Sequence, residues 1–312
     1  MRTPRFVLLL FSLLAVMGCE TLITDLPENM LPSQTSKLVV YSFISPQSNV
    51  ISAVVTQSAP LFSEYNQPIR IVPAAIVIIS DGIKERQMTF DTISKDYQIA
   101  SARFPIQAGQ TYTLKVSHQN RQVQATCTIP QIAVPIQSYQ IDSVRSLHAP
   151  EIDSSIVIQM IWKDIPLQKN RYRVRAFSEI EYSILEPDGP NHATERRTRS
   201  LFPFDWNDHS GKSDLFDDEN MDGLTLESSK GKSYMPEIQT DLRGTAINPK
   251  PKLVSITIEL LHTDEAYYQY HRTLQQYRNT NNPFSEPILV FSNIEGGLGC
   301  FAGYNSKILN IR

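Results

Sequence analysis

Between Lys37 and Pro130 the chain alternates apolar and polar positions in short runs: "LVVYSFI", "VISAVVTQS", "AAIVIIS", "RQMTF", "TYTLKVSH" and "QVQATCTI". A period of two turns one side of each run to a core and the other to water, the mark of a half-buried strand. The breaks "SPQSN", "SDGIK" and "HQNR" are rich in turn formers. Short strands at this spacing, with no helix-period segment among them, predict an N-terminal Ig-like or prealbumin-like β-sandwich over residues 37–130. In "QAGQTYTLKV" a glycine turn leads Tyr112 into an alternating strand, the arrangement of a tyrosine corner.

Pro130 and Pro135 bracket "PQIAVP", the expected domain junction. Beyond it "SSIVIQMIW", "RYRVRAFSEIEYSI", "KLVSITIELL", "PILVFSNI" and "SKILNI" continue the strand signal. They predict a larger β-rich domain over 136–312. One segment breaks the pattern. In "TDEAYYQYHRTLQQYRN", Tyr267, Tyr270, Leu274 and Tyr277 recur at helical spacing, and a helix is expected over about 264–279. Thr263 is placed to cap it, and Asp264 and Glu265 suit its first turn. Its apolar face is expected to cover a sheet.

The N-terminus follows a different pattern. "MRTPRFVLLLFSLLAVMGC" has a basic start at Arg2 and Arg5, then an apolar stretch from Phe6 to Met17 interrupted only by Ser12. That is shorter than the roughly 20 residues a spanning helix needs, so residues 1–18 read as a signal peptide. "VMGC" resembles the bacterial lipobox, which would place cleavage before Cys19 and a diacylglycerol on its thiol. Residues 19–36 carry two prolines and no apolar period, and they read as a tether. One acyl chain holds a protein only marginally, so stable anchoring takes two or three.

Cleavage would remove two of the 29 basic residues and none of the 32 acids, leaving an acidic chain. That balance argues against nucleic acid as a partner. Apart from Cys19 there are two cysteines, Cys127 and Cys300. Cys127 alternates with Val123, Ala125 and Ile129 and so lies on a buried strand face. An envelope location permits a Cys127–Cys300 bond, but the two fall in different expected domains.

Three stretches invite a chemical reading. "VFSNIEGGLGCFAGYNS" holds Gly296, Gly297, Gly299 and Gly303, four of the chain's 12 glycines. No Gly-Lys-Ser/Thr follows as a phosphate-binding loop requires, and no βαβ unit surrounds it, so the block reads as backbone that must turn or approach closely. "DHSGKS" has Trp206 where the first glycine of such a loop should stand. In "DDENMDG", Asp218, Asn220 and Asp222 before Gly223 match the opening of a calcium loop, but the twelfth position is Ser229 rather than an acid. Ca²⁺ is the one candidate cofactor; an acidic hairpin turn is the competing reading. On one strand, Arg171, Arg173 and Arg175 share a face with Glu179 and Glu181. Either they form cross-strand ion pairs, with "ERRTRS" nearby, or they are a basic stripe for an acidic partner. There is no G-x-S-x-G, H-E-x-x-H or C-x-x-C, and no catalytic residue is assigned.

The whole layout resembles the lipoproteins of the domain-of-unknown-function 4249 family (DUF4249) from Bacteroidota. The matching features are Cys19 with its tether, "KLVVYSFISP", "VPAAIVIISDG", "AGQTYTLKVS" and "LFDDENMDGLTLE". Most specific is "DEAYYQYHRTLQQY" followed by "PFSEPILVFSNIEGGLGCFAGY". The resemblance implies an outer-membrane lipoprotein of no established activity, slightly favoured to face the cell surface. It further implies a partnership with a TonB-dependent receptor in nutrient uptake, for a ligand the sequence does not name. In that family the glycine block belongs to the final strands. A calcium-stabilised adhesin-like protein and a glycan hydrolase are the alternatives.

Overall fold

The computed structural model describes residues 36–59, 69–148, 151–188, 193–206, 213–236, 251–279 and 288–311. The expected signal peptide 1–18, the expected lipid-attachment residue Cys19 and the expected tether up to residue 35 lie outside them.

Before the Pro130 segment come β1 (Leu38–Ile44), β2 (Val50–Gln57), β3 (Arg70–Ile71), β4 (Ile76–Ser80), β5 (Glu85–Gln87), β6 (Thr89–Asp91), β7 (Asp96–Ala100), β8 (Thr111–His118) and β9 (Arg121–Thr128). After it come β10 (Ile136–His148), β11 (Glu151–Lys163), β12 (Arg171–Pro187), β13 (Ala193–Pro203), β14 (Leu215–Asp217), β15 (Thr225–Glu227), β16 (Gly231–Tyr234), β17 (Lys252–Thr263) and β18 (Leu298–Ile311). One helix, α1 (Glu265–Asn279), lies between the last two strands. Among the described residues the protein is mostly β with a single helix near its C-terminus, as the alternation and the one helical segment predict.

The strands form three sheets. A ten-stranded sheet runs β13-β12-β17-β18-β1-β2-β7-β6, with β14 on β12 and β3 on β2. A sheet of order β5-β4-β8-β9 shares a core with the β1, β2 and β7 end of the long sheet, filled by Leu38, Val40, Ile51, Ile79, Tyr112, Leu114 and Phe301. The hydroxyl of Tyr112 accepts the Gln107 amide at 2.6 Å, tying the turn to the strand as a tyrosine corner does. A third sheet, β10-β11-β15 with β16 on β11, shares a second core with the β12 and β17 end, built on Ile158, Met160, Trp162, Tyr172, Val174 and Leu260.

The segment expected as the domain junction, between Pro130 and Pro135, passes from the first core to the second. Ile129 belongs to the first core and Val134 to the second. Yet β18 pairs in parallel with β1 through residues 298–303, and antiparallel with β17 through residues 304–311. One strand therefore completes both halves of the sheet. Alternation marks each strand but says nothing about a partner so distant in sequence.

Strand β1 shows why it reads as nearly continuous apolar sequence. Leu38, Val40 and Ile44 face the first core, while Tyr41 and Phe43 face the other way, under α1. A strand covered on both sides needs apolar residues on both. The helix thus lies over β1 and β18, with Tyr267 and Tyr270 against Cys300 and Ala302. Cys127 and Cys300 sit in separate clusters, and both are buried free thiols. Burial pushes both thiol pKa values up, so each behaves as a small apolar group.

Candidate functional site

The start of α1 sets the local geometry. Asp264, rather than the expected Thr263, is its cap: Oδ1 accepts the Tyr267 amide at 2.8 Å. The Thr263 residue still belongs to β17, and its hydroxyl donates to the Arg171 carbonyl at 3.4 Å. Tyr267 and Tyr270 are buried and Leu274 packs beside them, but Tyr277 is exposed, one turn past the packed surface. Tyr268 is buried instead, its hydroxyl donating to Asp217 at 2.8 Å.

Beneath the helix, Arg171, Arg173 and Arg175 of β12 point the same way, and each meets a carboxylate and a tyrosine ring. Arg171 lies 3.5 Å from both Asp218 and Glu265, under the Tyr268 ring. Arg173 pairs with Asp214 at 2.6 Å and donates to the Tyr267 hydroxyl at 3.0 Å. Arg175 reaches Glu259 at 2.6 Å and stacks by Tyr304. The stripe is therefore an internal ion-pair ladder that braces helix to sheet. Farther along β12, Glu181 pairs with Arg199 and Arg197 of "ERRTRS", and Glu179 accepts from Ser255.

Beside Arg173, the middle rung of this ladder, a cleft of 340 Å³ opens. One wall is the helix face His271, Leu274, Gln275 and Arg278, which recur three and four residues apart. The other is Phe204, Asp205 and Trp206, the segment that leaves β13. Arg173 and Asp214 lie between them. The volume falls in the range of small-molecule sites, about 300–1,000 Å³.

The walls are held in place. Trp206 packs flat on Gly231, where an added Cβ would meet the indole at 2.9 Å, and Asp205 exchanges backbone hydrogen bonds with Lys232 at 2.7 Å each way. Asp214 is fully engaged, by Arg173 on Oδ2 and by the Gln275 amide on Oδ1. Burial and the nearby charges of Arg173, Arg175 and Arg278 push the His271 pKa down to about 3, so this imidazole is neutral at physiological pH. Arg278 makes no ion pair among the described residues. In the last turn it complements the helix dipole.

The glycine block lies on the other side of the helix's cap. Gly299, at φ +111°, passes so close to the Val40 carbonyl that a Cβ would stand 2.0 Å from that oxygen. At Gly297 a Cβ would be 2.7 Å from the Leu38 carbonyl, and at Gly303 2.6 Å from Ile129 Cδ1. Gly296 turns the chain at φ +76°. Asn293 lies alongside: its amide donates to the Phe301 carbonyl at 2.7 Å, and its Oδ1 accepts the Phe301 amide at 3.0 Å. The block lets β18 run against β1; no ligand-binding geometry is involved.

A family model described as "Domain of unknown function (DUF4249)" matches residues 20–308. The chain belongs to this family. No curated protein matches it. Among the described residues no helix is long and apolar enough to cross a membrane.

In this DUF4249 chain the would-be calcium loop folds into a cross-linked turn. Asp164, Asp218 and Asp222 bring carboxylate oxygens within 4.8 Å of one another. Asn220 takes φ +64° in the turn between Asp218 and Asp222. Protein donors already occupy the acids. Asp218 accepts the Asn170 amide at 2.7 Å, and Asp222 the Leu167 amide at 2.8 Å. Asp164 accepts the Gly223 amide at 2.7 Å and the Tyr172 hydroxyl at 2.6 Å. Of the cleft, only Arg173 stood out in the sequence as a candidate for interaction; Leu274 was read as part of the helix's apolar face and Trp206 as a mismatch to a phosphate loop. His271, Gln275 and Arg278 lie at helical spacing beside the tyrosine face, a signal present but masked by the aromatics. Nothing in the sequence brings Phe204, Trp206 and Asp214 to that face.

Proposed function

We propose that this protein is a lipid-anchored binding subunit of the outer membrane, held at Cys19 and partnering a TonB-dependent barrel in nutrient uptake. The observation that carries the binding reading is the cleft between α1 and the Phe204–Trp206 segment. There Phe204 and Trp206 line one side, and Arg278 and a neutral His271 line the other. Catalysis is a poorer account of the same cleft, because both carboxylate oxygens of Asp214 are already engaged, one by a guanidinium and one by an amide.

The "VMGC" lipobox supports the anchor, and family membership from residue 20 onward is compatible with a mature chain that begins at Cys19. Cys19→Ala should move the protein from the membrane fraction to the soluble envelope fraction. Retention of the variant in the membrane would sink the lipid-anchor part of the proposal.

The calcium reading has one observation in its favour, the grouping of Asp164, Asp218 and Asp222. The protein donors on each acid favour instead a clasp that works without an ion.

A further inference from the structure

A second cleft, of 620 Å³, lies on the first sandwich and shares no residue with the one beside α1. It forms where the chain changes sheets. β5 is the edge of one sheet and β6 the edge of the long one. Only Met88 separates them, with its side chain buried and its amide bonded to the Val77 carbonyl at 2.8 Å. Beside this crossing, Thr89 pairs with Gln98 and Val50 with Ala100 on the outward face of β6, β7 and β2, while Ile51, Tyr97 and Ile99 alternate with them and are buried. Arg86 and Gln87 come from β5, and Arg103 from the turn after β7. That turn is fixed: the Ser101 amide donates to the Asn49 carbonyl at 3.0 Å, and Phe104 is buried against Tyr112.

The charge of this lining is one-sided, two arginines and no acid, in a chain whose net charge is −3. Arg86 gives one hydrogen to the Glu85 carbonyl, and Arg103 makes no ion pair or side-chain hydrogen bond among the described residues. Glu85 is taken by Lys115 at 2.9 Å. Farther along the outward face, Asp91 and Asp96 are bound into the β6–β7 turn: Asp91 accepts the Ile93 and Ser94 amides, and Asp96 the Ser94 hydroxyl and the Gln98 side-chain amide. Edge strands carry charge to discourage pairing, which accounts for Arg86 but not for Arg103, which is on no strand. Two guanidiniums without a counter-charge favour a dianion over a neutral guest or a single carboxylate, and a guanidinium grips a phosphate through two parallel hydrogen bonds. A phosphate monoester carries about −1.5 to −2 at neutral pH. A phosphate ion alone would leave most of the cleft empty, whereas the Thr89 hydroxyl, the Gln87 amide and the Gln98 carbonyl oxygen suit the hydroxyls of an attached molecule. We infer that this cleft binds the phosphate monoester of a small hydroxylated molecule, with Arg86 and Arg103 on the phosphate.

This site depends on neither the helix cleft nor the barrel, so it is tested on the purified full-length protein in mild detergent. Glycerol phosphate, inorganic phosphate and acetate are titrated by calorimetry at constant ionic strength. Glycerol phosphate should bind more tightly than inorganic phosphate and at least tenfold more tightly than acetate. Arg103→Gln should weaken it tenfold or more while leaving the melting temperature unchanged, because Arg103 is exposed and its side chain holds nothing in place. Lys95→Gln removes a nearby charge outside the cleft and should change the affinity by less than about twofold. Acetate binding as tightly as glycerol phosphate overturns the dianion, and inorganic phosphate binding more tightly than glycerol phosphate overturns the ester. Equal losses from Arg103→Gln and Lys95→Gln, or none from Arg103→Gln, overturn the assignment to this cleft. No binding of either phosphate overturns the proposal as a whole.

Discussion

Asp264 and Gly303 hold each other at both ends: Asp264 Oδ2 accepts the Gly303 amide at 2.8 Å, and the Gly303 carbonyl accepts the Asp264 amide at 2.9 Å. With Oδ1 on the Tyr267 amide, one side chain starts the helix and pins it to the strand shared by both cores. No cation faces it. Burial raises the Asp264 pKa from 3.8 to about 7, against the opposing pull of those amides.

A pH dependence follows. The native state keeps this proton up to about pH 7, whereas the unfolded chain releases it near 3.8. The stabilisation is therefore complete below about pH 4 and is lost as pH rises toward 7. At about 1.4 kcal/mol per pH unit the loss is on the order of 4 kcal/mol. Asp264→Asn cannot titrate. In urea unfolding from pH 4.5 to 7.5, the stability difference between wild type and variant should shrink as pH rises. A difference that stays flat or widens contradicts this account of Asp264.

Gly299 gives a sharper backbone test. Alanine there must fit a Cβ beside the Val40 carbonyl at a φ that side chains rarely adopt. Gly299→Ala should cost about 3 kcal/mol or more, or prevent folding, through strain of this kind. Gly82 also has positive φ, at +86°, but open space around it, so Gly82→Ala should cost only about 1 kcal/mol. Equal melting temperatures for the two variants would remove the close-approach argument.

If the arginine ladder is internal, Arg175→Ala should act on stability and leave partner recovery unchanged. Glu259 is buried, and stripping its partner should cost roughly 2–3 kcal/mol, since Arg175 is partly exposed. Replacing both, as Arg175→Met with Glu259→Leu, should recover part of that loss. Urea midpoints for the three proteins decide it; a neutral Arg175→Ala speaks for a stripe kept for a partner.

The acidic turn separates a clasp from a calcium site. With Asp164, Asp218 and Asp222 already bonded to protein donors, chelator should leave the melting temperature unchanged. Asp164→Ala should lower stability by about 1–3 kcal/mol, because Gly223 and Tyr172 lose their acceptor. A melting temperature that climbs with millimolar Ca²⁺ would restore the metal.

Strand alternation was legible because it is local: Val123, Ala125 and Cys127 declare their face within a few residues. The helix was legible for the same reason, although its cap shifted from Thr263 to Asp264 once Thr263 was seen to stay in β17. The double role of β18 was hidden, since no local pattern tells Gly299 that it will lie against Val40. The cleft was hidden more deeply. Its walls come from the end of β13 and from α1, and its aromatic face depends on Gly231, which shows no motif. Arg173 was visible as part of a stripe, but its pairing with Asp214 depends on a turn placed by tertiary contacts.

The most direct measurement of the proposed role is recovery of the tagged protein from the envelope of its native cells in gentle detergent, with its partners identified by mass spectrometry. The account predicts one TonB-dependent barrel in roughly equimolar amount. Recovery of the protein alone would contradict it.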